Sequence, residues 1–385
     1  RWAEYQGLNN WDGLLRPLDP VLRSEILRYG EFVQSAYNSF DFDPSSPSYG
    51  TCQHAKLSAS GSASGYRVTR DLHASSGVRL PGWADDVAPS WATRRSSWIG
   101  YVAVCEEEEE VERWGRRDVV VALRGAVTCY GCRVENSERP TVTDCICDGG
   151  DQLGSSGIPD GWEQRPFWSY VPFLWAELHE FALIRYMLQI PLKPHFQLSF
   201  FCKMQVREEI KRIIETYGGS RNRPLSLTIT GHSLGAALAV LAAYDITATV
   251  KNHPMVTVVS FGGPRVGNSS FRRKLEEQGS KVLRIVNTQD IITKVPGFVV
   301  DQEIEQSENE INIPSWILRK TGWVYADIGQ ELRVSGERTA NVVACHDLNV
   351  YLSLVNQLST TCPLRARVKE SFRWPFSVQL TSNGR

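Results

Sequence analysis

The chain has 385 residues, 42% of them apolar and 22% charged, with a formal charge of -1. That balance is ordinary for a folded globular protein and excludes a strong basic field for nucleic acid or for an anionic membrane. Its length suits one large domain, 1–385, and nine scattered cysteines are too sparse for a small disulfide scaffold, so buried thiols in a reducing setting are expected.

The sequence opens on Arg1 rather than Met, as a processed form or fragment would, with any targeting segment outside it. Leu22, Ile26, Tyr29, Val33 and Tyr37 recur at helical spacing behind Asp19-Pro20 and predict an amphipathic helix covering the core. Residues 98–104 and 118–123 are apolar runs of strand length. Between them, the acidic run Glu106 to Glu110 reads as a solvated turn, with binding of a cation or basic partner as the rarer alternative.

Cys129, Cys132, Cys145 and Cys147 form a C-x2-C, C-x-C cluster that would suit zinc if the thiolates converged. The second pair is closer than in the usual zinc knuckle, so no metal is predicted. In the apolar stretch 168–192, Leu174, Leu178, Phe181, Ile184 and Leu188 fall at helical spacing, interrupted by Glu177, His179, Glu180 and Arg185. A charge at mid-bilayer costs about 2.5 to 3.5 kcal/mol, so a packed or interfacial helix is expected rather than a membrane span.

From Val206 onward the pattern becomes regular. Val206, Ile210, Ile213, Ile214 and Tyr217 mark a helix closed by Gly218-Gly219. Strands over 225–230, 256–261 and 281–287 then alternate with helices over 236–250 and from Asn268 to Gly279. Such alternation predicts an α/β fold with a central, mostly parallel sheet and helices on both faces.

The strongest chemical signal is Gly231-His232-Ser233-Leu234-Gly235, a G-x-S-x-G pentapeptide between a strand and a helix. A serine on a sharp strand-to-helix turn needs small neighbours, and the two glycines supply them. The turn would lift Ser233 above the carboxyl edge of the sheet and aim the Leu234 N–H at a developing oxyanion. A serine hydroxyl is a weak nucleophile at neutral pH, so it requires an imidazole base held in one tautomer by a carboxylate. His346 is the single histidine after the serine-to-acid order that this chemistry follows, and Asp290, just past a strand, is the expected acid; Asp301 and Asp347 are its rivals. His232 is expected to pack under the turn. A second oxyanion donor is expected from the loop 123–126, at the Ala126 N–H.

The chain resembles the plant phospholipases A1 of the class 3 lipase family, in the chloroplast-targeted group. The resemblance rests on Asn10-Trp11-Asp12-Gly13-Leu14-Leu15, Pro17-Leu18-Asp19-Pro20, Gly115-Arg116-Arg117-Asp118 and the serine pentapeptide, with Phe261-Gly262-Gly263-Pro264-Arg265-Val266-Gly267-Asn268, Val286-Asn287-Thr288-Gln289-Asp290 and Cys345-His346-Asp347-Leu348. It spans 1–128 and 203–370. It implies an α/β-hydrolase fold, hydrolysis of sn-1 acyl esters of phospholipids and galactolipids, and plastid localisation. It further implies a triad of Ser233, Asp290 and His346, with no metal or other cofactor. Membrane lipid at an interface would be the partner, with neither nucleic acid nor a protein partner implied.

Two departures from the family pattern set further expectations. Ala126 stands where a Thr or Ser is usual, and residues 129–202 differ from the segment that normally supplies a lid helix and a strand. A missing strand would open a sheet edge beside the oxyanion loop and slow the chemistry. An esterase of small soluble esters, and a lipase-like binding or signalling protein without catalysis, therefore stand as alternatives.

Overall fold

The computed structural model describes residues 1–43, 46–58, 65–74, 97–125, 197–219, 223–294, 298–299, 324–336 and 344–358. Seven strands form one sheet in chain order: β1 (Tyr66–Ala74), β2 (Ser97–Cys105), β3 (Arg117–Leu123), β4 (Leu225–His232), β5 (Met255–Phe261), β6 (Lys281–Asn287) and β7 (Gln330–Val334). The first two pairings are antiparallel, and β3 through β7 run parallel. The principal helices are α1 (Pro20–Ser39), α2 (Glu108–Trp114), α3 (Gln197–Tyr217), α4 (Leu234–Thr249), α5 (Ser269–Glu277) and α6 (Leu348–Gln357).

Local chemistry sets the ends of these elements. The Asp19 carboxylate accepts from the Val21 and Leu22 N–H groups at the start of α1, with Pro20 as its first residue. Asn268 caps α5 through the Phe271 N–H, and Asp347 caps α6 through the Asn349 N–H. The acidic run is solvated, as expected, but it is no mere turn. Glu108 to Glu110 form the first turn of α2, where carboxylates suit the positive end of the helix dipole, and Gly115 ends it in the left-handed region.

Alternation along the parallel strands builds two cores. Val119, Val121, Leu227, Ile229, Val256 and Val258 face α3 and α4; Val120, Ala122, Val259, Phe261, Leu283 and Ile285 face α1 and α6. Strands β1 and β7 escaped the sequence reading, because their mixed residues do not alternate cleanly in burial. Strand β3 is hydrogen-bonded to β2 on one side and to β4 on the other, while the segment 129–196, on which the expected missing strand falls, lies outside the described residues. The stretch 168–192, the Cys129–Cys147 cluster, Asp301 and Ala126 lie outside the described residues. Cys105 and Cys345 are buried and Cys52 is half-buried, none of them in a disulfide among the described residues. No helix among the described residues is long and apolar enough to cross a membrane.

Candidate active site

Four strand ends converge on one edge. In register, Leu123 of β3 lies beside Gly231, His232 beside Phe261, and Phe261 beside Ile285 of β6. The loops leaving these strands carry Arg124 and Gly125, Ser233, Gly262 and Asp290 respectively, so the candidate residues gather outside the carboxyl ends of the parallel strands.

Ser233 sits between β4 and α4 with φ 55° and ψ -125°, a conformation that L-residues rarely adopt. The turn is held because the Ser233 N–H donates to the Phe261 carbonyl at 3.0 Å, and the Ser233 carbonyl accepts from the Ala236 N–H at 3.0 Å. A Cβ at Gly231 would lie 2.4 Å from the Gly235 carbonyl, and one at Gly235 would lie 2.4 Å from the Leu123 carbonyl. Both glycines are therefore required by close backbone approach. Leu234 is the first residue of α4, where an N–H has no acceptor within the helix.

Asp290 is fully buried behind β6. Its Oδ2 accepts from His346 Nδ1 at 2.6 Å and from the Tyr351 hydroxyl at 2.6 Å, while Oδ1 accepts from the Ile292 N–H at 2.9 Å. Burial, reinforced by the Asp290 carboxylate, pushes the Tyr351 phenol far above its ordinary pKa, so it remains a donor. His346 Nε2 is buried with no hydrogen-bond partner among the described residues. An imidazole anchored at Nδ1 with a bare Nε2 is the arrangement a general base needs. Asp347, the rival acid, is occupied with the cap of α6.

His232 does pack under the turn, and does more. Its ring lies 4.7 Å from the His346 ring; Nε2 meets the His346 carbonyl at 2.7 Å, and Nδ1 meets the Tyr37 hydroxyl at 2.8 Å. Burial first, and the neighbouring His346 ring second, hold the His232 pKa well below the ordinary value, so the ring is neutral. The start of the loop after β3 is equally well held. Arg124 donates through Nε and Nη2 to the Trp98 carbonyl at 3.0 and 2.7 Å and through Nη1 to the Gly125 carbonyl at 2.9 Å, and its guanidinium stacks 3.7 Å from the centre of the Phe40 ring.

A parallel sheet whose central strand ends in a strained serine turn, with a histidine–aspartate pair at the same edge, defines a serine hydrolase of the α/β-hydrolase fold. A model of the lipases of class 3 matches residues 168–300, starting inside the segment set apart above. Phospholipase A(1) DAD1, chloroplastic, of Arabidopsis thaliana is 50% identical over 381 residues, covering 95% of this chain and 78% of that relative. The chain belongs to the class 3 lipase family, among the plant phospholipases A1. Galactolipase DONGLE, chloroplastic, also of Arabidopsis thaliana, is 34% identical and covers 92% of this chain and 70% of its own length. Among solved structures, the native Rhizomucor miehei lipase propeptide complex is similar at 12% identity, with a TM-score of 0.42, over 90% of this chain and 84% of that one.

The sequence reading missed Tyr37 and Tyr351 as parts of this site. Each sits at a helical position that a core aromatic would fill equally well, Tyr37 one turn after Val33 and Tyr351 one turn into α6. No pattern in one sequence separates the two uses.

Proposed function

We infer that the protein hydrolyses sn-1 acyl esters of phospholipids and galactolipids at a plastid membrane surface, with Ser233 as nucleophile, His346 as base and Asp290 as orienting acid. The observation that carries the reading is the His346 ring, bonded at 2.6 Å to a buried Asp290 and bare at Nε2, beside the strained Ser233 turn. In the first half-reaction, His346 Nε2 takes the Ser233 Oγ proton as Oγ adds to the ester carbonyl. The oxyanion is met by the Leu234 N–H and, as expected from the loop, by the Ala126 N–H. Collapse breaks the bond to the glycerol oxygen, which leaves with the proton from His346. Water then loses a proton to His346 and adds to the acyl-enzyme, and fatty acid departs as Ser233 regains its proton. Strand β3, which leads into the loop at 123–126, is paired on both sides, and this supports the reading of an active enzyme.

The test is fatty-acid release from vesicles of defined phospholipid and galactolipid labelled in the sn-1 chain, set against a short soluble ester. Ser233→Ala and His346→Ala should each lower kcat by about 10^4-fold or more, and Asp290→Asn by about 10^4-fold through the wrong tautomer. Wild-type rates in Asp290→Asn would remove Asp290 from the role. Equal rates on the soluble ester and on vesicles would move the substrate to the small esters.

A further inference from the structure

We propose that Tyr37 and His232 are positioning residues for hydrolysis: a hydrogen-bonded chain from the Gly125 N–H through the Tyr37 hydroxyl and the His232 ring to the His346 carbonyl aligns oxyanion loop, nucleophile turn and base. The inference rests on the Ser233, His346 and Asp290 reading given above.

The chain is continuous and short. The Gly125 N–H donates to the Tyr37 oxygen at 2.7 Å, the Tyr37 hydroxyl meets His232 Nδ1 at 2.8 Å, and His232 Nε2 meets the His346 carbonyl at 2.7 Å. Its protons have one consistent arrangement. A carbonyl only accepts, so the His232 proton is on Nε2. The ring is neutral, which leaves Nδ1 bare, so the Tyr37 O–H must donate to it. The Tyr37 oxygen then accepts from the Gly125 N–H. Every donor points the same way, from the loop after β3 toward the loop that carries His346.

Three elements distant in sequence are tied by these bonds: the last turn of α1, the loop after β3, and the short turn Ala344–His346 that precedes α6. All meet at His232, the immediate neighbour of Ser233. The approach is close enough that a Cβ at Gly125 would lie 2.5 Å from the Tyr37 oxygen and 2.9 Å from Ser233 Cβ. Gly125 is bonded at both polar ends, to Tyr37 and to Arg124, so its own N–H is committed and the loop leaves toward Ala126 from a fixed residue. A buried histidine that merely satisfied its ring would need two partners of any kind. Here both partners belong to groups whose separation from Ser233 governs the reaction, and placement errors near 1 Å cost about 100-fold in rate.

Tyr37→Phe keeps the ring and deletes the hydroxyl. With sites counted by fluorophosphonate titration of Ser233, kcat per titrated site should fall about 10- to 100-fold, between the effect of losing one neutral hydrogen bond and that of losing an oxyanion donor. KM should stay within about twofold, because ground-state binding is untouched. His232→Gln should do the same, and the double variant should be no slower than the slower single, because both break one chain. A purely structural role would lower the melting temperature or the number of titratable sites and leave kcat per site at the wild-type value; that result overturns the proposal. Should Tyr37→Phe not fold, 15N spectra of histidine-labelled wild-type protein decide: His232 should remain neutral with its proton on Nε2 throughout the range in which free histidine titrates. A proton on Nδ1 would overturn the chain. Full hydrolysis by Ser233→Ala would instead overturn the triad reading and this proposal with it, whereas an inactive Ser233→Ala beside a wild-type Tyr37→Phe overturns this proposal alone.

Discussion

The two faces of the sheet are built from different chemistry. Against α3 and α4 the buried side chains are aliphatic, as with Val206, Ile210, Ile213, Ala237 and Val240. Against α1 and α6 aromatic rings join the aliphatic side chains, with Trp11, Tyr29, Phe32, Tyr101, Phe261 and Tyr351 among them, and this core adjoins buried charges at Glu25, Arg116 and Asp118. The site draws unequally on the two. From the aliphatic face comes α4, which offers Ser233 its turn and the positive end of a helix. From the aromatic face come the Tyr37 and Tyr351 hydroxyls, which reach Gly125 and Asp290. An aliphatic contact has no direction and tolerates small shifts, whereas a hydrogen bond weakens steeply once misaligned. On the proposed reading, the face that orients the chemistry is accordingly the polar one.

The sharpest break in this comparison is Asp118→Asn. The Asp118 carboxylate takes a hydrogen bond from Arg28 at 3.0 Å, one from Tyr66 at 3.0 Å and one from Ser226 at 2.8 Å, while Arg116 bonds Glu25 at 2.8 Å beside it. Removing one charge from such a cluster leaves the guanidiniums buried without balance, and about 3 to 5 kcal/mol of stability should be lost, read from the urea midpoint at neutral pH. Burial works to raise the Asp118 carboxyl, but Arg28, Arg116 and Ser226 outweigh it and hold it below its ordinary value. A depressed carboxyl contributes stability above its unfolded pKa of about 3.9, and that contribution is lost as pH falls through the lower folded value. The gap between wild type and Asp118→Asn should therefore narrow on acidification below that point. Equal urea midpoints at neutral pH would mean that the buried charges do not support this face.

What could be read in the sequence follows the same division. Periodicity placed β4, α4, β5, α5 and β6 to within a few residues, because apolar spacing reports burial directly. The G-x-S-x-G turn was legible because backbone crowding leaves glycine as the residue that fits at 231 and 235. His346 and Asp290 were legible through chain order and the strand end. Tyr37, Tyr351 and the second role of His232 were not, since a hydroxyl aimed at a partner and a ring filling a core leave the same mark in a helical pattern. Glu108 to Glu110 misled in the opposite direction, as a charge run signals solvent exposure but not whether the backbone coils or turns.

Tyr351→Phe sharpens the comparison at the site itself. The phenol donates to Asp290 Oδ2 at 2.6 Å and accepts from the Asn287 N–H at 3.2 Å, so it links the acid to the end of β6. Its loss leaves the His346 bond to Asp290 in place but removes one of the two donors holding Oδ2. A hydrogen bond to a charged group contributes about 1.5 to 3 kcal/mol, part of which is common to ground and transition states, so kcat should fall about tenfold. That is far less than for Asp290→Asn. Unchanged kcat on defined lipid would make Tyr351 a core residue and no more.

Ile229→Val on the aliphatic face should give the smallest effect and the cleanest contrast. Ile229 is fully buried in β4, four residues before Ser233, and contributes to the core beneath α4. If aliphatic packing oriented the serine, this is where the connection would be shortest. Deleting one methyl group leaves a small cavity and should lower stability by about 0.5 to 1.5 kcal/mol. The elbow is fixed by backbone bonds from Ser233 to Phe261 and Ala236, none of which involves the Ile229 side chain, so kcat per titrated site should stay at the wild-type value. The next residue shows why the faces differ even within one strand: Thr230 points the other way and donates to the Tyr29 carbonyl at 3.4 Å, joining β4 to α1 through a directed contact. A several-fold loss of kcat in Ile229→Val would mean that packing on the aliphatic face also sets the serine, and the division of labour between the two faces would fail.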